Sequence, residues 1–323
     1  MRYLVTGGSG FGGCGLVEAL LNKDQKVTVI DIVAPSHAEN LKEVIDHPNL
    51  KYIWKSVHDL GPKDVEGHDI VVHFAAQADV PLGFPSPLWT IWENVLGTTQ
   101  VLEAVRQVGI DRFLLASSGN VFGRPIYLPI DEKHPLTPHN PYSASKACQE
   151  MLALAYYRAY GVPLVVLRNG VVIGERMRKE IFVFKWLYNI LMDRPIIIEG
   201  GKQTRDPCYV EDTVNAWLLA SEAPREMVVG ETFHVSRGKE YTVEEIASEC
   251  MAVVGKKVTI EHQAYRPGEE GMRECFDISK ARRILGYEPK TELPEALERT
   301  LAWIKRECIG NYAFSTDAPI RGQ

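Results

Sequence analysis

The sequence predicts a doubly wound α/β fold, an open parallel sheet with helices on both faces, followed by a smaller C-terminal α/β lobe. Three observations predict it. Strand and helix patterns alternate from the start, strands such as Ile70-Val71-Val72 are apolar on both faces, and the first strand runs into a glycine-rich turn. Arg2 to Val5 is a short apolar strand, and Val27 to Ile30 a second that ends at Asp31. Between them, Leu16, Val17, Leu20 and Leu21 have the spacing of a helix over Phe11 to Leu21 packed on one face. Strands are predicted at Lys51 to Trp54, Asp69 to Phe74, Phe113 to Ala116 and Leu164 to Leu167. Helices at Leu88 to Val108 and Tyr142 to Tyr160 separate the later ones. Residues 1–170 therefore read as the sheet domain, with 171–323 as the smaller lobe.

The character changes after Gly174, where a basic patch (Arg176, Arg178, Lys179) leads into the amphipathic segment Ile181 to Met192. Further helices are predicted at Val210 to Ser221, Val243 to Val254, Ser279 to Leu285 and Pro294 to Arg306. The segment around 204–236 is expected to pack back onto the first domain. The polar tail beyond Gly310 is expected to be loosely ordered.

Composition narrows the function. With 323 residues, 45% hydrophobic and 24% charged, the chain has ample material for a core. A net charge of −6 works against nucleic acid or an anionic membrane as a partner, so anionic ligands must be held by local groups. The six cysteines are scattered singly and Met1 leads straight into a strand, which predicts a reduced, cytoplasmic protein without a secretory signal. Ile181 to Met192 is too short to span a bilayer.

Thr6-Gly7-Gly8-Ser9-Gly10-Phe11-Gly12-Gly13 lies between the first strand and the first helix. Glycines at 7, 10 and 13 allow a tight turn and close approach to a pyrophosphate, and the helix N-terminus supplies N–H donors. Asp31 can accept hydrogen bonds from an adenosine ribose and would repel a 2′-phosphate. No Arg or Lys follows in Ile32-Val33-Ala34-Pro35, so NAD is expected rather than NADP.

Tyr142 and Lys146 are i and i+4 at the start of a helix preceded by Pro141, so they share one face. Bringing a phenol from pKa 10 to about 7 takes roughly 4 kcal/mol of phenolate stabilisation. A nearby ammonium and the positive charge of NAD+ can supply it. Ser117 and Ser118 end a predicted strand at the sheet edge where ligands bind, and a hydroxyl there can hold a reacting sugar oxygen. His134 and His139 lie in a Pro-rich loop near Asp131, but their spacing fits no common zinc signature, so no metal is expected and both are expected to be solvated. Cys148 has no His motif to make it a nucleophile.

Together with His73 to Gln77, Asn94 to Thr98, Gln203 to Ala216 and Arg266 to Tyr287, these motifs resemble the extended short-chain dehydrogenase/reductase family along nearly the whole chain. The resemblance implies a Rossmann domain and transient oxidation of a nucleotide-diphosphate sugar. Tyr142 would take a proton from a sugar hydroxyl, Lys146 would bind the nicotinamide ribose and Ser118 would hold the oxygen. It further implies that Gly7, Gly10, Phe11, Gly13, Asp31 and Ile32 contact NAD, that Asp59 and Leu60 flank the adenine, and that Phe74, Ala75, Ala76, Asn94 and Ser117 line the cofactor cleft. Arg205 and Arg266 match positions that clamp the substrate diphosphate, as guanidinium forks suit phosphate oxygens.

Departures select within the family. The 4,6-dehydratases carry acids where this chain has Gly119 and Asn120, neither of which is a general acid or base. The expected activity is therefore epimerisation, at C4, through a 4-keto sugar. A 4-ketosugar reductase and a non-catalytic dinucleotide-binding sensor or scaffold remain the alternatives. Phe122 replaces a common Tyr, Val171 replaces a substrate-contacting Asn, and Glu274 stands where sugar size is often set, so base and sugar stay open. The family also implies a homodimer built on two helices, with Val101, Leu102, Val105, Met151 and Leu152 as candidate contacts.

Overall fold

In a computed structural model, which describes residues 1–309, seven parallel strands form the main sheet. They are β1 (Arg2–Thr6), β2 (Lys26–Asp31), β3 (Leu50–Trp54), β4 (Ile70–His73), β5 (Arg112–Ser118), β6 (Leu164–Asn169) and β7 (Thr232–Val235). Their spatial order is β7-β6-β5-β4-β1-β2-β3. The chain reverses its direction of travel between β1 and β4, and the crevice at their C-terminal ends is where such sheets bind ligands.

Helices cover both faces, which is why central stretches such as residues 70–72 and 113–116 are apolar on both sides, whereas the edge strand β3 is only partly buried. Helix α1 (Phe11–Leu21) buries Leu16, Val17, Leu20 and Leu21 on one face. On the other, α2 (Gly97–Val108) and α3 (Pro141–Tyr160) pack over Leu4, Val71, Phe113 and Val166. A separate core surrounds α4 (Phe182–Leu191), where Val183, Phe184, Leu187 and Ile190 meet Ile246 and Leu297. The segment after it returns to the sheet: α5 (Val210–Glu222) packs on α1, and β7 pairs with β6 in register Thr232 to Val166.

The predicted helix over Leu88 to Val108 is not one regular helix. Pro87–Ile91 and α2 are α-helical, but Trp92–Leu96 between them is a π-type turn. The wider turn carries Asn94 inward, and its side chain joins Gln77 to α3 through bonds to both backbone groups of Gln77 and to Ser145 Oγ. Val101, Leu102 and Val105 are fully buried in the monomer core, so they cannot form the dimer contact expected of them. Met151 is exposed. The expectation for the tail beyond Gly310 lies outside the described residues. No helix among the described residues is long and apolar enough to cross a membrane.

Candidate active site

The turn after β1 is built by close backbone approach. Gly7 has φ +69°, and a Cβ there would stand 2.7 Å from the Ala75 nitrogen. A Cβ on Gly13 would stand 2.4 Å from the Gly7 carbonyl oxygen. Helix α1 has no side-chain cap on Gly10 and no acid in its first turn, so its amides and dipole face an anion unopposed. Asp31, buried at the end of β2, accepts from Ser9 N and Val33 N at 3.0 Å each, which fixes the carboxylate beside the turn. Ile32 is exposed next to it. These residues fit a dinucleotide with its pyrophosphate on the glycine turn and a ribose on Asp31.

Some of the other residues expected at the cofactor are engaged within the protein. Leu60 has its side chain in the core and its carbonyl taken by Gln100, while Asp59 is exposed. Phe74 wedges between Gly12 and Trp217, with ring centroids 4.3 Å apart in the latter pair. Ser117 donates to Glu150, and Asn94 acts through the bonds described above. The loop over Ala75 and Ala76 rests on Gly7.

Helix α3 starts at a sharply defined point. Asn140 Oδ1 accepts the Ser143 N–H at 2.8 Å, Ser143 Oγ accepts the Asn140 N–H at 3.1 Å, and Pro141 occupies the first turn. Tyr142 and Lys146 follow on one face, both buried, beside Ser118 at the end of β5. Burial pushes the Tyr142 phenol above its ordinary value, against opposing effects of Ser118 and of the Arg178 charge. Burial pulls Lys146 down to about 8, while Glu150 opposes. Glu150 itself takes a two-pronged ion pair from Arg168, with Nη2 to Oε2 at 2.7 Å, under the floor of the site. Sequence reading missed this pair, because its members come from α3 and β6 and no local pattern joins them.

Gly119 and Asn120 offer no acid, and packing leaves room for none at 119. A Cβ on Gly119 would meet the Phe276 ring at 2.3 Å, and Asn120 spends its amide on Ser118 Oγ.

Arg205 and Arg266 are brought together, but not as bare cations. Both face Glu269, at 3.2 and 3.6 Å, with Glu274 3.7 Å from Arg205 and Glu199 2.9 Å from Arg266. The two positions expected to clamp a diphosphate therefore stand as two guanidiniums among three carboxylates. Burial pushes the Glu274 carboxyl up, with Arg205 opposing and Glu269 adding to the shift. Arg266 Nε, Glu269 Oε2 and Glu274 Oε1 are buried without a hydrogen-bond partner among the described residues.

The loop histidines are not solvated. His134 is buried and accepts from Ile126 N at 3.0 Å. His139 is half-buried against Gly268, where a Cβ would stand 2.8 Å from its ring.

The family model described as GDP-mannose 4,6-dehydratase matches residues 4–300. A putative UDP-glucose 4-epimerase from Methanocaldococcus jannaschii is 35% identical over 94% of this chain and 98% of its own. A dTDP-glucose 4,6-dehydratase from Streptomyces niveus is 31% identical over 94% of this chain and 93% of its own. Among solved structures, the UDP-glucuronic acid 4-epimerase of Bacillus cereus, in complex with UDP-glucuronic acid and NAD, superposes with a TM-score of 0.89. It is 28% identical and matched over 95% of this chain and 99% of its own.

Proposed function

Since this chain belongs to the extended short-chain dehydrogenase/reductase family of nucleotide-sugar epimerases and dehydratases, we propose that it is an NAD-dependent epimerase of a nucleotide-diphosphate sugar, acting at C4. The observation that carries this reading is the buried set Ser118, Tyr142 and Lys146 at the sheet edge, next to a Gly119-Asn120 pair that offers no acid. Dehydration needs a group to move protons around C5 and C6, and the Phe276 ring fills the space a side chain at 119 would need.

Gly7, Gly10, Phe11, Gly13 and Asp31 would hold NAD, which would supply the acceptor and later the donor of hydride at the sugar carbon. Tyr142 takes the hydroxyl proton and returns it. Buried as it is, the phenol becomes a base only with positive charge nearby; Arg178 contributes some, and Lys146, one turn on along the same helix, would add to it. Ser118 holds the reacting oxygen in line with Tyr142. Arg205 and Arg266 retain the diphosphate while the 4-keto sugar turns over. On this reading, residues 1–170 with about 204–236 form the cofactor-binding unit, and the rest of 171–323 receives the substrate.

The exposed apolar residues Leu88, Trp89, Trp92, Leu96 and Met151 fit the contact of a homodimer. Six unpaired cysteines fit a reducing cytoplasmic setting.

The test is incubation with a panel of UDP- and dTDP-sugars, following product identity and absorbance at the NADH wavelength. Isomer formation without net NADH is expected, and it should disappear in Tyr142→Phe while NAD stays bound. Stoichiometric cofactor turnover would make the protein a reductase, and a dehydrated product would make it a dehydratase.

A further inference from the structure

The helix cap that positions Tyr142 also fixes the protonation of His139. Asn140 Oδ1 is committed to the Ser143 N–H, so the other amide atom, Nδ2, is the one that faces His139 Nε2, at 3.2 Å. An amide nitrogen is a donor only, so Nε2 is the acceptor and the neutral imidazole carries its proton on Nδ1. That Nδ1 is buried and has no partner among the described residues. The backbone that carries the ring is fixed by the His139 main-chain N–H bond to Ser143 Oγ at 3.1 Å and, two residues earlier, by the Thr137 hydroxyl, which donates to the Phe122 carbonyl.

The surroundings indicate what this donor is for. The imidazole packs on Gly268, inside the turn closed by the Glu269 N–H to Arg266 carbonyl bond at 3.0 Å. It lies in the field of both Glu269 and Arg205. A buried N–H donor without an acceptor costs about 1–3 kcal/mol, a cost that an oxygen-rich anion shared with the neighbouring guanidiniums would relieve.

We propose that the His139 Nδ1–H is a third donor to the substrate diphosphate, acting beside Arg205 and Arg266. The inference rests on the nucleotide-diphosphate reading given above. His139 stands three residues before Tyr142 on the same capped helix start. Anchoring the diphosphate there sets where the attached sugar falls relative to the phenol.

The test is calorimetric titration of the NAD-loaded protein with UDP and dTDP, using three variants. His139→Phe keeps the ring and removes the donor. His139→Asn places an amide nitrogen near the Nδ1 position, and His139→Gln places one near Nε2. For whichever nucleotide binds the wild type, His139→Phe should weaken binding about tenfold, the loss of one hydrogen bond to a charged group. His139→Asn should recover most of that loss and His139→Gln should not, with NAD affinity unchanged throughout. Wild-type affinity in His139→Phe, with the wild type binding normally, overturns this inference alone. If His139→Phe does not fold, equal affinities in the Asn and Gln variants overturn it. A wild type that binds neither nucleotide, nor GDP or CDP in the same titration, removes the diphosphate reading and this inference with it.

Discussion

Lys146 is placed where it is costly to keep. Its ammonium is buried, and desolvation brings it from 10.5 to about 8, so between about pH 8 and 10.5 the unfolded chain binds a proton that the folded protein does not. Stability attributable to this residue therefore rises with pH across that window, and below it the full penalty applies, about 3 kcal/mol at pH 7. Lys146→Met should accordingly stabilise the cofactor-free protein at pH 7 by up to about 3 kcal/mol, with the gain shrinking toward pH 10, while isomer formation is lost. Urea denaturation at the two pH values checks this; an equal gain at both would mean that Lys146 is not held as a desolvated charge. Residues of this kind were legible because their chemistry is written in local spacing, as the glycine turn and Tyr142 with Lys146 are. Glu150 with Arg168, the acids around Arg205 and Arg266, and the contact of His139 with Gly268 were not. Each depends on a partner that only the folded chain brings near, and in the sequence an isolated loop histidine looks solvated.

At the scale of the element, the glycine turn is not uniformly intolerant. The Cβ of an alanine at 13 would meet the Gly7 carbonyl at 2.4 Å, a backbone contact that cannot swing away, whereas at Gly10, with φ −71°, the same contact is 3.2 Å. Gly13→Ala should cost roughly 1–3 kcal/mol, by analogy with overpacked cores, and should abolish retention of NAD. Gly10→Ala should cost less and retain weakened binding. Thermal unfolding with and without NAD measures both, and equal effects would mean that the close approach of Gly13 to Gly7 does not control the turn. Most elements could be read from periodicity, since Phe11–Leu21, Val210–Glu222 and Val243–Val254 bury regular stripes. The π turn at Trp92–Leu96 could not. One extra residue in a turn leaves the apolar pattern on either side intact, and its reason is the buried bonds of Asn94 to Gln77 and Ser145.

At the scale of the molecule, packing of this helical segment decides which of its apolar residues face out. The sequence offered Val101, Leu102 and Val105 as a contact surface because a stripe facing the core and a stripe facing a partner have the same period. Packing resolves them into the core, and the residues left at the surface lie before them: Leu88 is 86% exposed, Trp92 53% and Leu96 45%, with Met151 on the neighbouring helix 65% exposed. With Trp89 at 46%, two tryptophans and three large aliphatic side chains lie exposed, and on the homodimer reading proposed above a second copy covering them would bury the outer faces of the helices that hold Asn94 and Tyr142. Dimer formation would then brace the floor of the site without adding a residue to it. Trp92→Glu puts a charge in the middle of that contact and should give a monomer by light scattering at micromolar concentration, with NAD still bound and with thermal stability that no longer rises with protein concentration. If the unaltered protein is itself monomeric at those concentrations, this face is not a contact between copies, and the exposed tryptophans require a different partner.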